Sequence, residues 1–136
     1  MKKIRFRTIF VVIFSALLLG AAGSAAAQID RTPMKRLISP ATVRGYVGGE
    51  AHDSYVIRAK KGQSMTVEIS WRSRGDNRAE FSVSRSSDFF RGGAVKFGVK
   101  SAGGKRWRGK IPKTGSYFVY VVAHPTANYT LRGNVK

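Results

Sequence analysis

The sequence predicts an all-β protein, a single antiparallel β-sandwich of about eight short strands behind an N-terminal signal peptide. Three observations predict it. Beyond residue 41, apolar residues recur with a period of two, the spacing that places alternate side chains on one face of a strand. Turn-forming clusters of Gly, Pro, Asp and Asn separate these runs. No stretch after the leader sustains a helical period.

The leader decides which residues fold. "MKKIRFR" carries Lys2, Lys3, Arg5 and Arg7, an apolar run extends from Ile9 to Leu19, and Ala25-Ala26-Ala27 fits a small-residue cleavage site. These are the three parts of a secretory signal peptide, assigned here to residues 1–27. The 19 uncharged residues from Ile9 to Ala27 could barely span a bilayer as a retained anchor. Their last third is Ala, Gly and Ser, which partition weakly into lipid, so cleavage is the reading adopted, with a periplasmic or secreted destination and no transmembrane segment in the mature chain. The 136-residue chain has no cysteine, which excludes both a lipid-modified cysteine anchor and disulfide support. Residues 28–136 suffice for one domain, burying roughly two thirds of the surface of the unfolded chain.

Residues 28–41 are polar, contain Pro33 and Pro40, and read as an N-terminal arm; the sandwich is assigned to 42–136. "TVRGYV" places Val43, Gly45 and Val47 on one face. "DSYVIRA" places Tyr55, Ile57 and Ala59 together, and "SMTVEISW" sets Met65, Val67, Ile69 and Trp71 against Ser64, Thr66, Glu68 and Ser70. "AEFSVS" supplies Phe81 and Val83. "AVKFGVK" is expected to bury Val95, Phe97 and Val99 and expose Lys96 and Lys100, and "KRWRGKI" to bury Trp107 and Ile111. In "SYFVYVV", Tyr117, Val119 and Val121 share a face opposite Phe118, Tyr120 and Val122; "NYTLRGNV" closes the chain with Tyr129 and Leu131 inside. The turns are "KKGQ" and "PKTG", where Gly62 and Gly115 can take positive φ at little cost, the cluster "RGDN", and "HPTA" at Pro125.

The order "DSYVIRAKKGQSMTV", "FSV", a tryptophan strand, "PKTGSYFVYV" and a closing "YTL" resembles the bacterial pre-peptidase C-terminal domain and its small periplasmic relatives, among them the inhibitors of g-type lysozyme. Tyr55, Gly62-Gln63, Gly115, Tyr117, Val121 and Tyr129 fall in family order, and the resemblance spans roughly Val43 to Val135. It implies a small sandwich used as a non-catalytic binding or inhibitory module, aligns Tyr117, Val119 and Val121 with the core, and makes a lysozyme one candidate partner. The inhibitor members carry a longer, arginine-containing loop after the "G-x-Y" strand; here "AHPTAN", Ala123 to Asn128, has no arginine.

Catalytic chemistry finds little to use. There is no Cys, no G-x-S-x-G elbow, and only His52 and His124 as imidazoles. Glu50, His52 and Asp53 in "GGEAHDSY" are metal-ligand types, but a polar hairpin connection accounts for them, so neither a metal nor a cofactor is expected. Arg74-Gly75-Asp76 is a receptor tripeptide in some proteins; a turn needs these residue types in any case.

Charge is the strongest signal. With the four leader cations set aside, 21 Lys and Arg face 7 acids, a net charge of +14 on residues 28–136. Such a field attracts polyanions: an anionic envelope polymer, an acidic protein, or nucleic acid as a less favoured partner. In "GGKRWRGK", alternation puts Arg106, Arg108 and Lys110 in one stripe with Trp107 on the opposite face. Lys96 and Lys100 are expected alongside on the preceding strand, and Arg72, Arg74 and Arg78 form a second candidate cluster around "RGDN". Guanidinium groups suit phosphate because the planar fork meets two oxygens. Phe118 and Tyr120 face away from the core; either the arm or a second subunit covers them, or they add apolar contact with a ligand.

Overall fold

A computed structural model describes residues 33–136; the signal peptide expected over 1–27, and residues 28–32, lie outside the described residues. Alternation appears as nine strands: β1 (Lys35–Leu37), β2 (Ala41–Gly48), β3 (Asp53–Ala59), β4 (Ser64–Trp71), β5 (Arg78–Ser84), β6 (Val99–Ser101), β7 (Arg106–Lys110), β8 (Gly115–His124) and β9 (Thr126–Val135). They form a four-stranded sheet in the order β1-β3-β8-β5 and a five-stranded sheet in the order β2-β9-β4-β7-β6. Every pairing is antiparallel except β1 with β3. No helix occurs among the described residues, so none there is long and apolar enough to cross a membrane. The all-β sandwich expected from the sequence is the fold observed.

The core lies between the inward faces. Tyr55, Ile57, Tyr117, Val119, Val121, Phe81 and Val83 from one sheet meet Met65, Val67, Ile69, Trp107, Tyr129 and Leu131 from the other, all buried. Burying a large aliphatic side chain contributes about 1.5–3 kcal/mol relative to exposure, and without disulfides this layer supplies most of the stabilisation. β8 and β9 are joined by Pro125 alone, where the chain passes from one sheet to the other. One polar network is buried with the aromatics. Tyr129 donates its hydroxyl hydrogen to Asp53 Oδ2, leaving its oxygen to accept from Tyr55. Gly45 makes room for it, since a Cβ there would overlap the Tyr129 ring. Burial, then the neighbouring Asp53 and Tyr55, push the Tyr129 hydroxyl far above its ordinary value, and burial also raises that of Tyr55.

Two elements depart from the sequence reading. The segment read as an arm contributes β1 and the first residue of β2. Leu37 is buried in the core cluster and stands beside Ile57 in the β1–β3 register, but three residues are too few to display a period. The strand expected across 94–100 forms only from Val99 onward. Val95 and Phe97 pack against the core as expected, but Gly98 sits at φ 82° and reverses the phase. It must be glycine on two counts: the backbone is left-handed, and the Trp107 ring occupies the space of a side chain. Val99 therefore takes the outer side, 70% exposed, beside Arg108, and Lys100, still exposed at the sheet edge, takes the side of Trp107.

Candidate functional site

The two sheets present different outer faces. On the five-stranded sheet the outward positions are Thr42, Arg44 and Tyr46 of β2, Asn128, Thr130, Arg132 and Asn134 of β9, Ser64, Thr66, Glu68 and Ser70 of β4, and Arg106, Arg108 and Lys110 of β7. The face thus holds five cations and one carboxylate. Register sets their positions. Glu68 lies between Arg132 on β9 and Arg106 on β7, and Thr66 between Asn134 and Arg108. Three guanidinium groups thus surround a shallow depression of 620 Å³ whose walls include Pro40, Thr42, Thr66, Glu68 and Asn134. Arg106 Nε donates to Glu68 Oε1 at 2.8 Å, which fixes one guanidinium, while Arg108 and Arg132 form no ion pair among the described residues. Chemically, this is a floor of amide and hydroxyl groups with planar cationic donors projecting from it, suited to multidentate contact with phosphate or carboxylate oxygens.

Of the residues singled out from the sequence, Arg106, Arg108 and Lys110 form the expected stripe along β7. Arg132 belongs with them and was not singled out. Its phase was readable from Tyr129 and Leu131 pointing inward, but its proximity to Arg106 depends on β4 lying between β9 and β7, through the long-range pairings of Glu68 with Arg106 and with Arg132, which no local pattern reports. Lys96 is exposed in the bend before β6, off the sheet. Lys100 leaves the stripe altogether: Nζ donates to the Phe81 carbonyl at 2.8 Å and stands 5.1 Å from the Phe81 ring centre, the consequence of the Gly98 phase reversal.

The three arginines of the expected second cluster take different neighbours around the turn. Arg72 joins Arg44 on a separate depression of 350 Å³, Arg78 pairs with Glu80 at 3.0 Å on β5, and Arg74 lines neither. The "RGDN" turn is organised by Asn77, whose Oδ1 accepts from Arg74 N and whose Nδ2 donates to the Arg72 and Thr126 carbonyls. A turn scaffold accounts for the tripeptide.

On the four-stranded sheet, Phe118 is partly buried and Tyr120 is only 2% exposed. Among the described residues, it is not the arm that covers the phenol. The segment after β5 does: Tyr120 donates its hydroxyl to the Ser86 carbonyl at 2.6 Å, and Phe89 and His52 pack against its ring at 5.3 and 6.0 Å. Burial, with a smaller effect of Asp88, raises the Tyr120 hydroxyl above its ordinary range. The phenol thus anchors the Ser86 segment rather than standing exposed on the sheet. The alternation had marked Tyr120 as outward, and it is; a folded-over loop hides it. His52 stacks on Phe89 at 4.2 Å, and Asp53 is taken by Tyr129, so Glu50, His52 and Asp53 do not converge; no group of three metal-ligand side chains forms among the described residues.

The fold has solved counterparts. The structure resembles Aeromonas hydrophila PliG, a periplasmic lysozyme inhibitor of g-type lysozyme, with a TM-score of 0.61 and 21% identity over 76% of this chain and 96% of that one. Salmonella Typhimurium PliG, likewise a periplasmic inhibitor of g-type lysozyme, gives 0.52 and 18% over 76% and 98%. The pre-peptidase C-terminal domain of a Bacillus anthracis collagenase gives 0.52 and 20% over 76% and 95%. By sequence, no protein-family model and no curated protein matches the chain. These likenesses establish the fold, and they include both groups that the residue pattern resembled.

Proposed function

We propose that this protein is an exported, non-catalytic binding module that captures an anionic component of the cell envelope. The observation that carries the proposal is the convergence of Arg106, Arg108 and Arg132 on one open depression, with Arg44 and Lys110 on the same face and Glu68 as its one acid. A strand face used only for solubility has no need to gather guanidinium groups from two strands around one concavity. The leader supports export, and the structural likeness to periplasmic proteins agrees with it. Binding proceeds by electrostatic capture followed by bidentate contact, and the partner is an envelope polymer bearing phosphate or carboxylate groups, with an acidic protein as the other source of such groups. Titration of the mature protein against lipopolysaccharide at rising ionic strength tests this. Affinity should fall steeply with salt, because bound cations displace counterions; salt-independent binding, or none, refutes it.

Inhibition of a g-type lysozyme is the second reading, favoured by the likeness to two PliG structures. The β8–β9 connection argues against the same mode of action, since Pro125 alone joins the strands and the surrounding Ala123–Asn128 carries no arginine. A g-type lysozyme assay with excess protein separates the readings: full activity leaves envelope binding alone.

A further inference from the structure

Four strands lie at sheet edges: β1 and β5 in one sheet, β2 and β6 in the other. An edge strand presents unpaired backbone donors and acceptors, and proteins protect such edges with short strands, lysine, proline or covering loops. Three of these edges are protected. β1 and β6 are three residues long. β5 is closed by the segment that follows it: Lys100 Nζ donates to the Phe81 carbonyl, Val95 N–H donates to the Val83 carbonyl at 2.8 Å, and Ser84 bridges Ala94.

β2 has none of these devices. It runs for eight residues, "ATVRGYVG", without lysine, proline or a break in its register with β9. Among the described residues, no hydrogen bond from beyond β9 reaches the backbone between Thr42 and Val47. Tyr46 stands 63% exposed on its outer side.

We infer that the β2 edge is a docking site for an extended acidic peptide segment of a partner protein, which adds to the five-stranded sheet as a sixth strand. The backbone would supply the attachment and the side chains the selectivity, as in other strand-addition interfaces. Charge decides the occupant. Arg44 faces outward at the middle of β2, Arg132 lies opposite Thr42 on β9, Arg72 shares a depression with Arg44, and β2 carries no acid. A second copy of this chain would bring another such cationic face alongside, with 21 cations against 7 acids in residues 28–136 of each copy, and like charges oppose that union. A strand with carboxylates at alternate positions meets Arg44 on the outer side and leaves small apolar residues for the Val43 and Val47 side. The inference stands on the open β2 backbone and Arg44; it shares Thr42 and Arg132 with the anion-binding depression, so the test reads the β2 amides.

The test uses the mature protein and a capped peptide of roughly eight residues alternating valine and glutamate, matched to the length of β2. Two controls share its length: one with lysine for glutamate, and one with alternate backbone nitrogens methylated. Heteronuclear NMR and amide hydrogen exchange should show shifts centred on β2, slowed exchange of β2 amides, several-fold tighter binding than the lysine peptide, and no binding of the methylated peptide. Arg44→Glu should reverse the charge preference. Shifts centred on Arg106 and Arg108, equal binding of the methylated peptide, or no binding at all overturn the inference. So does a concentration-dependent dimer whose formation protects the β2 amides, because the occupant is then a second copy.

Discussion

The two outer faces of this sandwich are built from the same strand geometry and end in opposite states. On the four-stranded sheet, Phe118, Tyr120 and Val122 of β8 present apolar surface outward, and the chain folds the Ser86–Phe90 segment over part of it. On the five-stranded sheet, β4, β7 and β9 present threonine, asparagine and arginine outward, and among the described residues no segment covers their depression. Apolar surface is driven to find cover, while hydrated guanidinium groups lose by being covered without partners. The closed face is thus part of the folding problem, and the open face is available for binding.

That contrast can be broken from either side. The largest effect is expected from Tyr120→Ala, which removes a buried aromatic and its bond to Ser86. It should cost about 4 kcal/mol, read as a lower denaturant midpoint, without changing polyanion affinity measured well below the transition. A variant of wild-type stability would mean that the cover is ornamental. Next, the triple change Arg106→Ala, Arg108→Ala and Arg132→Ala should leave the fold intact and weaken lipopolysaccharide binding roughly a hundredfold, at about 1 kcal/mol per exposed charge-assisted contact. Retained affinity would move the site elsewhere.

A third test sharpens the account of the interior that both faces share. The Tyr55 and Tyr129 hydroxyls are raised from the ordinary 10.0, so the folded state keeps protons that the unfolded state releases. Their contribution is complete below pH about 10 and is lost as pH rises further. Stability should therefore fall in alkali, and Tyr129→Phe should flatten that fall while costing about 2 kcal/mol at neutral pH through the stranded Asp53 and Tyr55 groups. An unchanged alkaline profile in Tyr129→Phe would contradict the network. The smallest effect belongs to Arg78→Ala. Its partner Glu80 and Arg78 itself are both half or more exposed, so stability should move by no more than about 0.5 kcal/mol and polyanion binding only slightly. A large loss of binding would restore the cluster around "RGDN".

Period-two alternation made most of the core legible: Tyr55, Ile57, Met65, Val67, Trp107, Tyr117 and Leu131 are buried where it placed them. The β7 stripe was legible for the same reason. Lys100 was misplaced because alternation assumes a continuous strand, and a single left-handed glycine ahead of it shifts the phase by one. Tyr120 was given the correct side of β8, but a loop from another part of the chain decided its exposure. Arg132 was missed for a related reason: strand order across a sheet is a long-range choice made by core packing, and it leaves no local trace. Phase within a strand is written locally, whereas neighbours and cover are not.

The most direct test of the account maps a bound polyanion onto the protein through arginine Nε–H resonances, using lipopolysaccharide-derived phosphorylated oligosaccharide as the titrant. The account predicts shifts at Arg106, Arg108 and Arg132, weakening together with added salt, while Arg78 and the Phe118 side of the molecule stay unmoved. Shifts led by Arg78 and by aromatic resonances of the four-stranded sheet, with the Arg106–Arg132 face silent, would contradict it.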